Sequence, residues 1–280
     1  MISKPSIKSD TLPTVFIYTA LPCEAKPLID FYRLKKDTAI HNFSVYTNNA
    51  ICLTVTGIGK NAMAAGVAYT LALFSSAQNP VMLNVGIGGH KTHPIGSVFL
   101  ADKITDTDCD RRLYPPLVFT PPCPTHSLQT TAKPQLSYPE RDLCDMEAAA
   151  FYETAIRFSS GELIQCLKIV SDNETSPAQN IQPKWVTELI GAKLETIAAI
   201  LNELTQLAEL LIKPALPELT ALLSRYHFTA NEQIQLKKLL HRRHLVNDDN
   251  LPDIVDTAAK SGKEFLEALN QQLKAAEFYL

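Results

Sequence analysis

The sequence has little net charge, no long hydrophobic run and no paired cysteine motif, and each absence narrows the class of protein. A net charge of −3 over 280 residues gives no general attraction to nucleic acid or to an anionic membrane. No apolar run approaches the roughly 20 residues that span a bilayer, and the polar residues 1–12 lack the apolar core of a signal peptide. The six cysteines form no Cys-x-x-Cys pair, so we expect reduced thiols in a cytoplasmic protein.

Strand and helix patterns alternate over most of the chain. Strands are predicted at about 15–18, 43–46, 51–55, 81–85, 96–101 and 167–171. Helices are predicted at about 24–35, 61–75, 142–158 and 183–211. The segment 106–141 is rich in proline and polar residues and indicates loops with short strands. We therefore expect an α/β fold with three layers, in which helices cover both faces of a central mixed sheet.

The composition changes after Pro214 and Pro217 to helix formers without a strand signal. Within this region, Thr229 and Glu232 have the spacing of a capping box ahead of an apolar helical pattern. We predict three regions: a polar tail at 1–12, an α/β domain at 13–213 and a small all-helical appendage at 214–280.

Three acids are placed where they can act on a ligand. Glu24 follows the first strand, Glu147 lies in the predicted first turn of a helix, and Asp172 ends a buried apolar strand. Each also has a structural explanation, because acids in a first helical turn are favoured by the helix dipole and Asp172 could cap a turn.

Glycines and histidines give weaker signals. Gly86, Gly88 and Gly89 allow a ligand to approach the backbone closely, although a tight exit from the strand with positive φ is the more common explanation of such glycines. His90 and His93 share one loop, but no acid or cysteine at a suitable offset completes a zinc site. We therefore predict no metal.

Five short segments carry a family resemblance. They are Thr19–Ala25, Thr56–Lys60, Asn84–Gly89, Cys144–Ala148 and Val170–Asp172. In this order and spacing, over roughly residues 14–210, the chain resembles the nucleoside phosphorylase/nucleosidase superfamily of the purine and uridine phosphorylase type. Within it, the chain is most similar to methylthioadenosine/S-adenosylhomocysteine nucleosidase and futalosine hydrolase. The resemblance implies a nucleoside substrate, usually a purine nucleoside, a homodimer, and no cofactor, with inorganic phosphate as co-substrate only in a phosphorylase.

The resemblance also implies roles for individual residues. Asp172, next to Ser171, would protonate the leaving base, and Glu24 would activate the attacking water. Glu147 would bind the sugar hydroxyls while Met146 packs against the sugar ring. The glycine strand end would lie along the ribose and the nucleophile, with substrate contacts from Gly86, Ile87 and Gly88.

The resemblance leaves the nucleophile open between water and phosphate. Hydrolysis is favoured because Glu24 would repel phosphate and because Ile87 stands where many members have Ser or Thr. No arginine occurs between Phe43 and Asp110. Phosphorolysis to ribose-1-phosphate is the runner-up.

A binding module without strong catalysis is a further alternative. The phenylalanine that stacks on the base in the family has no clear counterpart near 127–131, and the candidates are Tyr114, Phe119 and Tyr138. The basic cluster in the helix predicted at 229–244 suggests contact with nucleic acid or protein. A solvated helix face is the more common origin of such a cluster.

Overall fold

The computed structural model describes residues 13–74, 79–135, 138, 141–211, 216–246 and 259–275. The predicted polar tail at 1–12 lies outside these residues. The chain divides into two compact units, Met1–Ile212 and Lys213–Leu280. Among the described residues, no helix combines the length and the apolar character needed to cross a membrane.

The first unit alternates strands and helices. Its strands are β1 (Val15–Thr19), β2 (Lys35–Lys36), β3 (Ser44–Thr47), β4 (Ile51–Val55), β5 (Val81–Gly89), β6 (Val98–Asp106), β7 (Arg111–Leu113), β8 (Thr125–Thr130), β9 (Leu143–Asp145) and β10 (Ile164–Asp172). Its α-helices are α1 (Pro22–Tyr32), α2 (Lys60–Leu73), α3 (Ala148–Ala155), α4 (Pro183–Gly191) and α5 (Leu194–Leu210).

The strands form one mixed sheet, as predicted. Its order is β2-β3-β4-β1-β5-β9-β8-β6-β10, and β10 pairs a second time with β5. Strands β5, β9, β8, β6 and β10 therefore close into a ring, while β1 to β4 extend the sheet on one side. Strands β1, β5 and β10 run parallel, so their carboxyl ends meet at one edge.

Side chains of β1 alternate between two apolar cores, which confirms the three-layer prediction. Phe16 and Tyr18 face α2 and α3, where the Tyr18 ring lies 5.6 Å from that of Phe151. Ile17 points to the opposite face and packs with α1, α4 and α5. All three β1 side chains are fully buried, as a strand covered on both faces requires.

Two predicted helices differ from the structure. The helix predicted from 142 begins only at Ala148, because Leu143–Asp145 pairs with β8 and β5 as strand β9. The helix predicted at 183–211 is two helices, α4 and α5. It breaks at Gly191, a residue type that disfavours helix interiors, and Lys193 leaves helical geometry with φ −117° and ψ 10°.

The regular elements in the described residues of the second unit are all helices, as predicted. Its helices are α6 (Pro217–Arg225), α7 (Ala230–Val246) and α8 (Gly262–Ala275), and they share an apolar core of their own. The capping box is present, because the Glu232 carboxylate accepts a 2.8 Å hydrogen bond from the Thr229 amide. Lys237 and Lys238 of the basic cluster are exposed on α7, and a partner for this face stays a prediction.

Candidate active site

A cavity of about 300 Å³ opens at the edge where β1, β5 and β10 end. Seven of the eight predicted site residues line it: Glu24, Ile87, Gly88, Met146, Glu147, Ser171 and Asp172. Gly86 does not. Ligands of open α/β sheets bind outside the carboxyl ends of parallel strands, which is where this cavity lies.

Glu24 is held rigidly in the first turn of α1. Only 2% of the residue is exposed, so it is not the solvated acid of the structural alternative. Its Oε2 accepts the amides of Ala20 at 2.9 Å and Leu21 at 2.8 Å, and its Oε1 accepts the Ile87 amide at 2.9 Å. Burial raises the pKa of the Glu24 carboxyl, while these amides and Lys168 oppose the rise.

Glu147 precedes α3 and reaches the start of α2. Its Oε1 accepts a 2.7 Å hydrogen bond from the Gly59 amide, and Gly59 has a φ of 97° that favours glycine. Burial, together with the nearby Asp145 carboxylate, raises the pKa of Glu147 to about 7. Both protonation states of this side chain are therefore accessible near neutral pH.

Beneath the cavity lies a buried ion pair that the sequence analysis missed. The Nζ of Lys168 lies 2.9 Å from Oδ2 of Asp145, and Lys168 is 1% exposed. The Asp145 and Glu147 carboxylates raise the pKa of the lysine against the effect of burial, so it stays a cation. The sequence signal was available, because Lys168 interrupts an apolar strand and a buried charge requires a partner.

The glycines of β5 accommodate side chains of neighbouring elements. None of Gly86, Gly88 and Gly89 has positive φ, so the explanation by a tight strand exit is wrong. A Cβ on Gly86 would lie 3.1 Å from Glu24 Oε1 and 3.2 Å from Lys168 Nζ. These glycines let charged groups converge on the strand from both sides.

Asp172 ends β10 with its carboxyl group directed to other side chains rather than to the following turn. Ser171 Oγ donates to Oδ1 at 2.5 Å, and Tyr138 donates from its hydroxyl to Oδ2 at 2.7 Å. The turn is capped by Asn173, whose Oδ1 accepts the amides of Thr175 and Ser176. The turn-capping explanation for Asp172 is therefore wrong.

The three aromatic candidates for base stacking lie in different surroundings. Tyr138 is buried against Asp172, Tyr114 is 61% exposed, and Phe119 packs at the edge of the core on the α1 face. None of the three lines the cavity within the described part of the chain.

Three histidines meet beside the strand end, one of which the sequence analysis missed. Potential ligand atoms of His90, His93 and His126 lie within 4.8 Å of one another. However, the amides of Thr92 and His93 donate to Nδ1 of His90, which places the ring proton on Nε2. Burial and the two neighbouring rings lower the pKa of His90 to about 4. In this tautomer His90 offers no free lone pair to a metal.

Comparison with known proteins gives structural matches. No family model and no curated protein matches the sequence. Futalosine hydrolase of Helicobacter pylori superposes with a TM-score of 0.51 at 13% identity, covering 69% of this chain and 100% of that one. The 5′-methylthioadenosine/S-adenosylhomocysteine nucleosidase of Helicobacter pylori superposes with a TM-score of 0.53 at 13% identity, covering 69% of this chain and 99% of that one. The 5′-methylthioadenosine nucleosidase of Arabidopsis thaliana superposes with a TM-score of 0.54 at 18% identity, covering 69% of this chain and 96% of that one. The first unit therefore has the fold of these nucleosidases and of futalosine hydrolase, as its motifs predicted.

Proposed function

We propose that the protein hydrolyses the N-glycosidic bond of a nucleoside, with a purine as the leaving base. The observation that carries the proposal is the meeting of Glu24, Glu147 and Asp172 in one cavity at the carboxyl edge of the sheet. The structural neighbours named above are nucleosidases and a futalosine hydrolase, which supports the same reaction class.

Asp172 is proposed as the general acid. A purine leaves poorly as an anion and well as a neutral base, so a positioned acid contributes about 10²–10⁴-fold to the rate. Asp172 lines the cavity, and Ser171 fixes one of its carboxyl oxygens. A base nitrogen placed against the other side of the carboxyl group would receive its proton.

Glu24 is proposed as the general base for water. Two of its three amide hydrogen bonds go to one oxygen, and the third ties the other oxygen to β5. These hydrogen bonds hold the carboxylate in place before the reaction, so it does not have to reorient when the water attacks. A water molecule in the cavity would lie next to a base that is already aligned.

Glu147 and Met146 are proposed to hold the ribose. The sugar gains positive charge in an oxocarbenium-like transition state, and a carboxylate hydrogen-bonded to its hydroxyl groups stabilises that charge. The Gly59 amide fixes one oxygen of Glu147 at 2.7 Å. The proposal extends to a homodimer and to a reaction without a cofactor.

The charges that line and underlie the cavity favour water over phosphate. Three buried acids, Glu24, Asp145 and Glu147, interact with the single cation Lys168. A phosphate ion carrying up to two negative charges would meet a net negative environment. Phosphorolysis therefore remains the runner-up reaction.

A nucleoside panel incubated with and without phosphate tests the proposal. We expect free ribose in the absence of phosphate, and Asp172→Asn should lower the rate by about a hundredfold or more while circular dichroism stays unchanged. Asp30→Asn is the matched control, because Asp30 is a solvent-exposed partner of Lys26. Ribose-1-phosphate would show phosphorolysis instead. Nucleoside binding by calorimetry without cleavage of any panel member would favour the binding module.

A further inference from the structure

We infer that Tyr138 is a positioning residue that fixes the Asp172 carboxyl group from behind the cavity. Its hydroxyl lies 2.7 Å from Oδ2 of Asp172, and the tyrosine is 8% exposed. The catalytic part of this inference rests on the proposed function, whereas the hydrogen bond itself does not. Neither the motifs nor the fold assigns this role to Tyr138.

Gly89 creates the space in which this contact forms. A Cβ at Gly89 would lie 2.6 Å from Cε1 of the Tyr138 ring and 2.7 Å from Oδ2 of Asp172. Any larger residue would push the ring and the carboxyl group apart. The strand is anchored at the same place, because the His90 amide donates to the Asp172 carbonyl at 3.1 Å.

The contact leaves Asp172 free to meet a substrate. Each carboxyl oxygen has two lone pairs, and Ser171 and Tyr138 occupy one on each oxygen. Asp172 lines the cavity, whereas Tyr138 is not among the described residues that do so. Tyr138 therefore orients the acid without touching the ligand.

The phenol also remains a hydrogen-bond donor to Asp172. A hydrogen-bond donor stabilises an ionised carboxylate more than a neutral carboxyl group. Burial and the neighbouring Asp172 raise the pKa of Tyr138, so the phenol stays protonated and acts as a donor over the whole working range of pH. Loss of the phenol should release the orientation of the carboxyl group and remove a hydrogen bond to the carboxylate that forms when the proton leaves.

Tyr138→Phe tests the catalytic part of the inference. We expect kcat to fall about tenfold to a hundredfold with little change in KM, because a hydrogen bond to a charged group is lost away from the ligand. Tyr32→Phe is the matched control, since the buried Tyr32 hydroxyl has no hydrogen-bond partner among the described residues. An unchanged kcat in Tyr138→Phe, or an equal loss of kcat in Tyr32→Phe, would overturn the inference.

A spectroscopic measurement tests the hydrogen bond without relying on catalysis. In wild-type protein with labelled tyrosine, the Tyr138 hydroxyl proton should give a downfield resonance that is absent in Tyr138→Phe. Asp172→Asn should move this resonance upfield, because an amide oxygen is a weaker acceptor than a carboxylate. An identical resonance in wild type and Asp172→Asn sinks the inference. If wild type cleaves no nucleoside while the resonance moves as expected, the proposed function fails and the contact stands.

Discussion

Replacing Glu147 with glutamine should stabilise the protein at alkaline pH while abolishing its activity. Glu147 is 7% exposed, and its carboxyl group lies close to Asp145. Its ionised form is the one proposed to hold the ribose, yet burial makes that form costly. The substitution keeps an oxygen that can accept the Gly59 amide and removes only the possibility of ionisation.

The magnitude follows from the two protonation equilibria. The pKa of Glu147 rises from an ordinary 4.5 to about 7 in the folded protein, so the folded state binds the proton more tightly than the unfolded state. The stabilisation is fully present below about pH 4.5 and is lost as the pH rises to about 7. At about 1.4 kcal/mol per pH unit, the wild type loses about 3 kcal/mol of unfolding free energy over this range. The glutamine variant does not ionise and avoids that loss.

Urea unfolding followed by tryptophan fluorescence gives the required measurement. The single tryptophan, Trp185, lies in α4 and reports on the first unit. The stability difference between Glu147→Gln and wild type should be larger by about 2.5 kcal/mol at about pH 8.5 than at about pH 5. Glu195→Gln, on an exposed position of α5, should show no such dependence. Equal differences at both pH values would refute the reasoning, because packing changes alone do not depend on pH.

Two further substitutions test the ion pair and the helical unit. Lys168→Met should cost about 3–5 kcal/mol of unfolding free energy by leaving the Asp145 carboxylate buried without its cation. Asp145→Asn in the same chain should recover part of the loss in a double-mutant cycle, and a single-variant loss below about 1 kcal/mol would contradict the pairing. Thr229→Ala should cost about 1 kcal/mol, seen as faster amide exchange in the first turn of α7, whereas Thr229→Ser should retain the cap with Glu232. Equal exchange in both variants would show that the cap contributes little.

Local patterns were sufficient to predict the elements with strong periodicity. The hairpin β3–β4 and the apolar strands β1, β5 and β10 follow from runs of β-forming residues, which need no knowledge of partners. Strand β9 was missed for a physical reason: three residues carry no measurable periodicity, and they become a strand only by pairing with β8 and β5. The prediction of one long helix failed just after Gly191, where Ala192 and Lys193 separate α4 from α5 although the apolar pattern continues on both sides.

In the candidate site, too, residues at the ends of elements could be predicted, whereas contacts between distant parts of the chain could not. Glu24, Glu147 and Asp172 were recognised because each stands at the end of an element, where ligands are usually bound. Tyr138 and Asp172 are 34 residues apart and meet only after β5, β9, β8, β6 and β10 close into a ring. His126 reaches His90 through the same closure. Contacts that form only when distant strands pair cannot be predicted from the spacing of residues in a single sequence.

The balance of buried charge links stability to the proposed chemistry. Glu24 and Glu147 both have raised pKa values because they are buried. Two of the amides that hold them, those of Leu21 and Gly59, belong to the N-cap residues of α1 and α2. A positive charge developing on a sugar in this cavity would lower both values and favour the ionised acids. A phosphate ion would raise them further and drive the acids towards their neutral forms. Burying the ionised acids costs free energy in the protein without a substrate, and a cationic transition state offsets that cost. A phosphate anion would increase the cost, so the charge of the cavity favours hydrolysis over phosphorolysis.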